Sequence, residues 1–415
     1  MACERAGCRI VPSVNEGTAG PLKLVVGSLH CHSTRSDGSG TPEEILEKAA
    51  AVGLDFVAIT DHVPRVTGDL PAARPRRRTP SGGRGRASGG GTPARAPLVH
   101  RGVLLLPGLE YSPPKNHYLV LGLDPAEAPA PEDIPGWPDP ASYIEAVGGR
   151  PGVLGFVAHP DDEGNPFLGV RSYRWEDWTV RGFTGLEVWN LSTDWSRLLR
   201  SRRDVIRAFL AGLYRAVPPP DPRTVARWDR LAASGHVVGI AGTDAHAYPA
   251  WWRGLRFTVF PYERAFSTLQ TAVWVESEAV EGPPQARAAA VLKALGQGRA
   301  FMVNRAWGRP HGFTFQAREV DGDGRRYVSG DTVPAGRRVR FEVALPASAW
   351  IRLVRNGKVV ANTFGRELTF EPLVPPGAGG REAWRVEAWV DAVHWTRAGS
   401  GFFLWIMSNF IYCSP

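Results

Sequence analysis

Along the first 300 residues one pattern of apolar and polar positions recurs: a short apolar run that ends in a polar tip carrying histidine or carboxylate. Leu24-Val25-Val26 leads to His30-Cys31-His32, Leu54 to Thr60 ends at Asp61-His62, and Val103 to Leu109 ends at Glu110. Tyr118 to Leu123 follows His117, Gly152 to Ala158 ends at His159, Phe183 to Trp189 ends at Asn190, and Val237 to Ala241 leads to Gly242-Thr243-Asp244-Ala245-His246. Runs this short that are apolar throughout, rather than alternating, predict strands covered on both faces. Between the first two strands, Thr41-Pro42-Glu43-Glu44 reads as a helix start, Ile45, Leu46, Ala49 and Ala50 as its apolar stripe, and Gly53 as its end. A second helix is expected near Pro284 to Gly296.

From Phe301 onward the period changes. Short segments (Phe313 to Ala317, Val339 to Val343, Trp350 to Val354, Trp384 to Val390, Phe402 to Ile406) are separated by turn signals such as Asp321-Gly322-Asp323-Gly324 and Asn356-Gly357. They predict a small all-β sandwich. With 415 residues, the chain exceeds the size of one ordinary core. The expected organisation is an N-terminal extension over 1–21, an α/β domain over 22–300 and an all-β domain over 301–415.

Composition changes this picture in one place. The net charge of +8 is concentrated between Pro64 and Arg101, where nine arginines face one acid, Asp69. The segment is rich in Gly, Pro and Ser, which marks 64–101 as an insertion rather than a folded basic face. It leaves nucleic acid open as a partner, although no aromatic residues interleave the arginines as a base-stacking surface requires. The four cysteines form no Cys-x-x-Cys pair and suit a reducing, cytoplasmic setting. The first twenty residues lack a signal-peptide core, and Gly401 to Cys413 falls short of the roughly 20 residues a bilayer needs, so no membrane partner is expected. Nothing in the sequence specifies an oligomeric state.

The polar tips carry the candidate chemistry. On an extended strand His30 and His32 project from one face and Cys31 from the other, toward packing. In parallel β/α architectures the carboxyl ends of strands open onto one face, and six of the ten histidines (30, 32, 62, 117, 159, 246) fall at such ends or beside them. Together they predict a metal cluster at a shared mouth. Arg35, Lys115, Arg171 and Arg174 lie in loops expected on that face and are candidates to clamp an anionic small-molecule substrate.

His30-x-His32 with Ser36-Asp37-Gly38, Thr60-Asp61-His62, Gly108-Leu109-Glu110, Ala158-His159-Pro160 and Gly242-Thr243-Asp244-Ala245-His246, in that order, resemble the motifs of the PHP superfamily, the polymerase and histidinol phosphatase group of metal-dependent hydrolases. The resemblance implies a distorted (β/α)7 barrel over 22–300, followed here by an immunoglobulin-like all-β sandwich. It implies two or three divalent ions, zinc, manganese or iron, held by His30, His32, Asp37, His62, Glu110, His117, His159, Asp244 and His246. Asp61 is expected to orient a ligand, and Asp244 or His117 to serve the leaving group. The implied reaction is attack of metal-activated hydroxide on phosphate mono- or diesters. Trp350 to Gly357 and Trp405 to Tyr412 are similar to the tail of the CehA/McbA-like subgroup, which brings in amide, ester or carbamate hydrolysis as the alternative. A non-catalytic metal-binding protein is the third reading.

Overall fold

A computed structural model describes residues 21–64, 99–210, 217–252, 255–391 and 401–415. The N-terminal extension up to residue 20 and positions 65–98 of the arginine-rich insertion lie outside the described residues.

The strands run, in chain order, β1 (Leu22–Cys31), β2 (Phe56–Ala58), β3 (His62–Val63), β4 (Val99–His100), β5 (Val103–Leu106), β6 (Gly108–Tyr111), β7 (Tyr118–Leu121), β8 (Leu154–Val157), β9 (Gly185–Asn190) and β10 (Val238–Ala245). β1 pairs in parallel with β2, and β2 with β5. Pro107, which has no N–H to give a ladder, separates β5 from β6, so one predicted apolar run becomes two strands. The pairings continue β6–β7–β8–β9–β10 and return to β1.

Two of these junctions are not parallel. β6 and β7 pair antiparallel, as do β7 and β8. Only residues 112–117 separate β6 from β7, too few for a crossover helix, so a hairpin is the connection available. Helix α1 (Pro42–Val52) forms as its sequence predicts: Thr41 and Glu44 make a reciprocal capping box, and Gly53 closes the helix at φ 79°. Its buried Ile45, Leu46 and Ala49 cover the sheet beside β2. The remaining α/β elements used below are α2 (Pro140–Val147), α3 (Leu191–Ser196), α4 (Arg202–Leu210) and α5 (Pro222–Ser234).

Beyond β10 lie β11 (Tyr248–Trp252), β12 (Leu255–Val259), β13 (Leu269–Glu276) and β14 (Ala300–Asn304), with the predicted late helix at Pro284–Gly296. The described residues after β14 form strands and one 3₁₀ turn: β15 (Thr314–Glu319), β16 (Arg326–Val328), β17 (Thr332–Val333), β18 (Val339–Arg355), β19 (Lys358–Phe370), β20 (Glu382–Asp391), β21 (Phe402–Ser408) and β22 (Ile411–Cys413). β18 fuses the two segments expected at 339–343 and 350–354, with a register shift between Ala344 and Ala349 where they join. Asn356 and Gly357, both at positive φ, make the β18–β19 turn.

Strand pairing continues across residue 300. β13 pairs with β1 on one side and β14 on the other, and β14 pairs with β21. Asn409 then grips β10, its side chain accepting from Gly239 N at 2.7 Å and donating to the carbonyls of Gly239 and Ala300 at 2.9 Å each. The Tyr412 hydroxyl likewise accepts from Val237 N and donates to Val237 O. The tail therefore fixes the start of the strand whose far end carries Asp244.

Candidate metal centre

The ends of the strands bring the polar tips together. His30 sits at φ 60°, and the β1–β10 register shifts between Leu29 and Cys31. Simple strand alternation is thus not what aims the two imidazoles. A bulge re-aims them, leaving their rings 5.1 Å apart. Cys31 packs the other way, fully buried against the carbonyl of Ala58.

Glu110 is the hub. β3 and β6 pair with His62 opposite Glu110, which puts His62 Nδ1 2.8 Å from Glu110 Oε2. His117 Nδ1 lies 3.1 Å and His159 Nε2 3.3 Å from Glu110 Oε1. His30 Nε2 and His32 Nε2 lie 3.5 and 3.6 Å from Oε2. Asp244 Oδ1 stands 3.4 Å from His30 Nε2 and 3.2 Å from His32 Nε2. Asp37 Oδ1 stands 3.5 Å from His62 and 3.3 Å from His246. Three groups have ligand atoms within 4.8 Å of one another: His32, Asp37, His62 and His246; His30, Glu110 and His159; and His30, His32 and Asp244. His117 stands outside these groups but touches Glu110.

The donor set fits divalent cations. His30 Nε2 and both ring nitrogens of His32 are buried without a hydrogen-bond partner. Such atoms cost roughly 1–3 kcal/mol each unless something satisfies them. Nitrogen and carboxylate donors without thiolates suit zinc, manganese or iron. His30, His159 and Asp244 also hold positive φ (60°, 25° and 49°), a strained conformation for residues with a Cβ.

Electrostatics keep the carboxylates charged. Burial works against ionising Glu110 and Asp244, yet His30 and neighbouring imidazoles outweigh it and hold both well below the usual carboxylate range. Burial also opposes a proton on His159, but the hydrogen bond and charge of Glu110 raise its pKa to about 9. His32, buried and pressed by His246 and His62, falls to about 3.

Asp61 belongs to none of these groups. Its carboxylate accepts from Ser33 N, Ser33 Oγ and Ser36 Oγ at 2.6–2.7 Å and so braces the turn that delivers Asp37. Three further contacts have no counterpart among the sequence motifs: Glu187 with His30, Ser112 Oγ with His62 Nδ1 at 2.6 Å, and the Tyr248 hydroxyl donating to Asp37 Oδ2 at 2.6 Å. For Glu187 a signal was present, since it is the one carboxylate inside the otherwise apolar run Gly185 to Trp189.

A cavity of about 550 Å³ adjoins the centre through His159 and Glu187. Arg197, Arg200 and Arg223 line it, together with Asp161, Asp194 and Asn165. Arg35, Lys115, Arg171 and Arg174 are absent from its wall, and Lys115 pairs instead with Glu176 at 2.5 Å. The arginines that line it follow α3 or stand at the start of α5.

Fold and site define an α/β protein with a buried histidine–carboxylate centre built to hold cations. Residues 28–87 match the PHP domain family, which supports the PHP superfamily. Over 103 residues the chain is 33% identical to the 3′,5′-nucleoside bisphosphate phosphatase of Chromobacterium violaceum, covering 24% of this chain and 28% of that protein. Over 50 residues it is 48% identical to the phosphoribosyl 1,2-cyclic phosphate 1,2-diphosphodiesterase of Eggerthella lenta, covering 12% and 18%. The chain therefore spans less than a third of either relative's length. A solved two-domain protein of Bacteroides vulgatus, containing a predicted PHP-like metal-dependent phosphoesterase, covers 97% of this chain and all of its own, at 13% identity and a TM-score of 0.43. That likeness is too distant to fix the fold. Among the described residues no helix is long and apolar enough to cross a membrane.

Proposed function

We propose that this protein is a metal-dependent phosphoesterase acting on a small anionic substrate. The observation that carries the reading is the convergence of eight residues from five strand ends into three groups of ligand atoms, with buried imidazole nitrogens left unpaired. The two curated relatives, a phosphatase and a diphosphodiesterase, support the same reaction class. The circuit of strand pairings, two of them antiparallel, supports reading the first domain as a distorted barrel, and the run of strands from β15 to β22 supports an all-β second domain.

The three ligand-atom groups are the residues that would hold two or three ions. Ions bound there supply Lewis acidity toward a phosphoryl oxygen and lower the pKa of bound water from about 16 toward 7. Asp37, Glu110 and Asp244, held ionised, neutralise part of that charge and leave room for an anionic group. Asp244 in this state serves as a ligand, not as a proton donor. The cavity takes the part of the substrate beyond the phosphate. Arg197 and Arg223 are tied there to Asp221 at 2.6 and 2.9 Å, whereas the exposed Arg200 guanidinium pairs with no carboxylate among the described residues and donates to the Arg197 carbonyl. Arg200 thus replaces Arg35, Lys115, Arg171 and Arg174 as the favoured contact to an anionic substrate.

Elemental analysis of the purified protein, with para-nitrophenyl phosphate and naphthyl carbamate assayed side by side, tests this. Phosphate release with bound divalent ions is the expected result. Carbamate hydrolysis alone moves the assignment to the alternative named above, and absence of both ions and activity leaves a binding protein.

A further inference from the structure

We infer that Glu187 is the positioning residue of the centre, setting two of its histidines at once; the inference rests on the metal-binding reading above. Through Oε1 its carboxylate accepts from His30 Nδ1 at 2.8 Å. Through Oε2 it accepts from the His159 backbone N–H at 2.8 Å and from Asn190 Nδ2 at 2.9 Å. Both oxygens are thus committed, and Glu187 is 1% exposed, so it acts through other residues and not on substrate.

Each contact has a consequence for ligation. A carboxylate at Nδ1 fixes the proton there and turns the lone pair of His30 to Nε2. Nε2 is the atom that faces Glu110 and Asp244 and lacks a hydrogen-bond partner. His159 is held by its backbone, at the strained φ of 25°, which the fixed N–H stabilises while the ring reaches Glu110. The chain also leaves space for this carboxylate. A Cβ on Gly242 would stand 1.7 Å from Glu187 Oε1 and 2.9 Å from His30 Cβ, so only glycine admits the contact. Gly242 pairs with Leu29 and Asn190 on the two neighbouring strands. One buried carboxylate therefore positions the ligands arriving on β1 and after β8, in a space that Gly242 of β10 leaves open.

The test titrates metal-free protein with Mn²⁺ and with Zn²⁺ by calorimetry, counts bound ions, and follows thermal unfolding of the metal-free form. Glu187→Gln is expected to weaken ion binding about 10- to 100-fold, lowering kcat with little change in KM, while the metal-free unfolding temperature moves by only a few degrees. Gly242→Ala, which displaces the carboxylate without removing it, is expected to weaken ion binding in the same direction, and it keeps the test open should the first variant fold poorly. Wild-type ion affinity in Glu187→Gln overturns the inference. So does a variant that unfolds early yet binds ions normally once folded, since that marks a packing role. A wild type that takes up no divalent ion overturns the metal-binding reading, and this inference with it.

Discussion

Two of the buried clusters of charge among the described residues differ in whether they are closed. In the first, Arg385 on β20 forms a bidentate pair with Asp229 of α5 at 2.8 and 3.0 Å and reaches Glu387 at 2.6 Å. Burial works against its charge, but the two carboxylates outweigh it and raise its pKa. No side-chain nitrogen or oxygen of these three residues is a buried orphan. In the second, around Glu110, imidazole nitrogens of His30 and His32 are buried without a hydrogen-bond partner. A saturated cluster joins two parts of the fold, whereas an unsaturated one is prepared for something that arrives later.

The sharpest way to break this comparison is to open the closed cluster. Arg385→Met leaves Asp229 buried without its partner and is expected to cost about 3–5 kcal/mol, read by denaturant unfolding. Ion stoichiometry of the folded fraction should stay at the wild-type value, and a loss of ions would show that the clusters are not independent. Filling the open cluster is the converse. Free divalent ion at a hundred times its Kd is expected to stabilise the protein by about 2.7 kcal/mol, reversed by chelator in a thermal melt. Next in size is Asn409→Ala, which strips buried partners from Gly239 and Ala300 and is expected to cost about 1–3 kcal/mol.

The pH dependence of the open cluster follows from His159. Its folded pKa of about 9 lies above the ordinary 6.5, so the stability it gives the metal-free protein is full below pH 6.5 and is lost as pH rises through 9. Ions must displace that proton, so their affinity is expected to rise over the same interval. Calorimetry at pH 6.5, 7.5 and 8.5 checks the opposed slopes. The smallest effect is expected at the rim, where Arg200→Ala should raise KM about tenfold, about 1.4 kcal/mol, with kcat nearly unchanged.

Much of the centre was legible before any coordinates. The histidines and carboxylates stand at the ends of apolar runs, and strand ends converge for reasons of topology, so residues as far apart as His30 and His246 could be grouped. The reason given for His30 and His32 was incomplete, because a bulge at φ 60° cannot be read from a run of apolar residues. Glu187 looked like part of a strand because its contacts come from His30 and a backbone N–H on other elements. The arginines of the cavity wall were not singled out for a similar reason: Arg197 and Arg200 follow α3, whose direction is set by tertiary packing. In the second half, Asn356-Gly357 announced its turn, whereas the fusion of two segments into β18 follows from pairing with β19 on both sides of the shift between Ala344 and Ala349, an effect no local window contains.

The grip of Asn409 and Tyr412 on β10 has a bearing on biosynthesis. The start of the strand that presents Asp244 acquires its full set of restraints only once Asn409 and Tyr412 are available to bond Gly239 and Val237. Completion of the centre is thereby expected to wait for those two residues, and a chain stalled near residue 300 to emerge with the start of β10 ungripped.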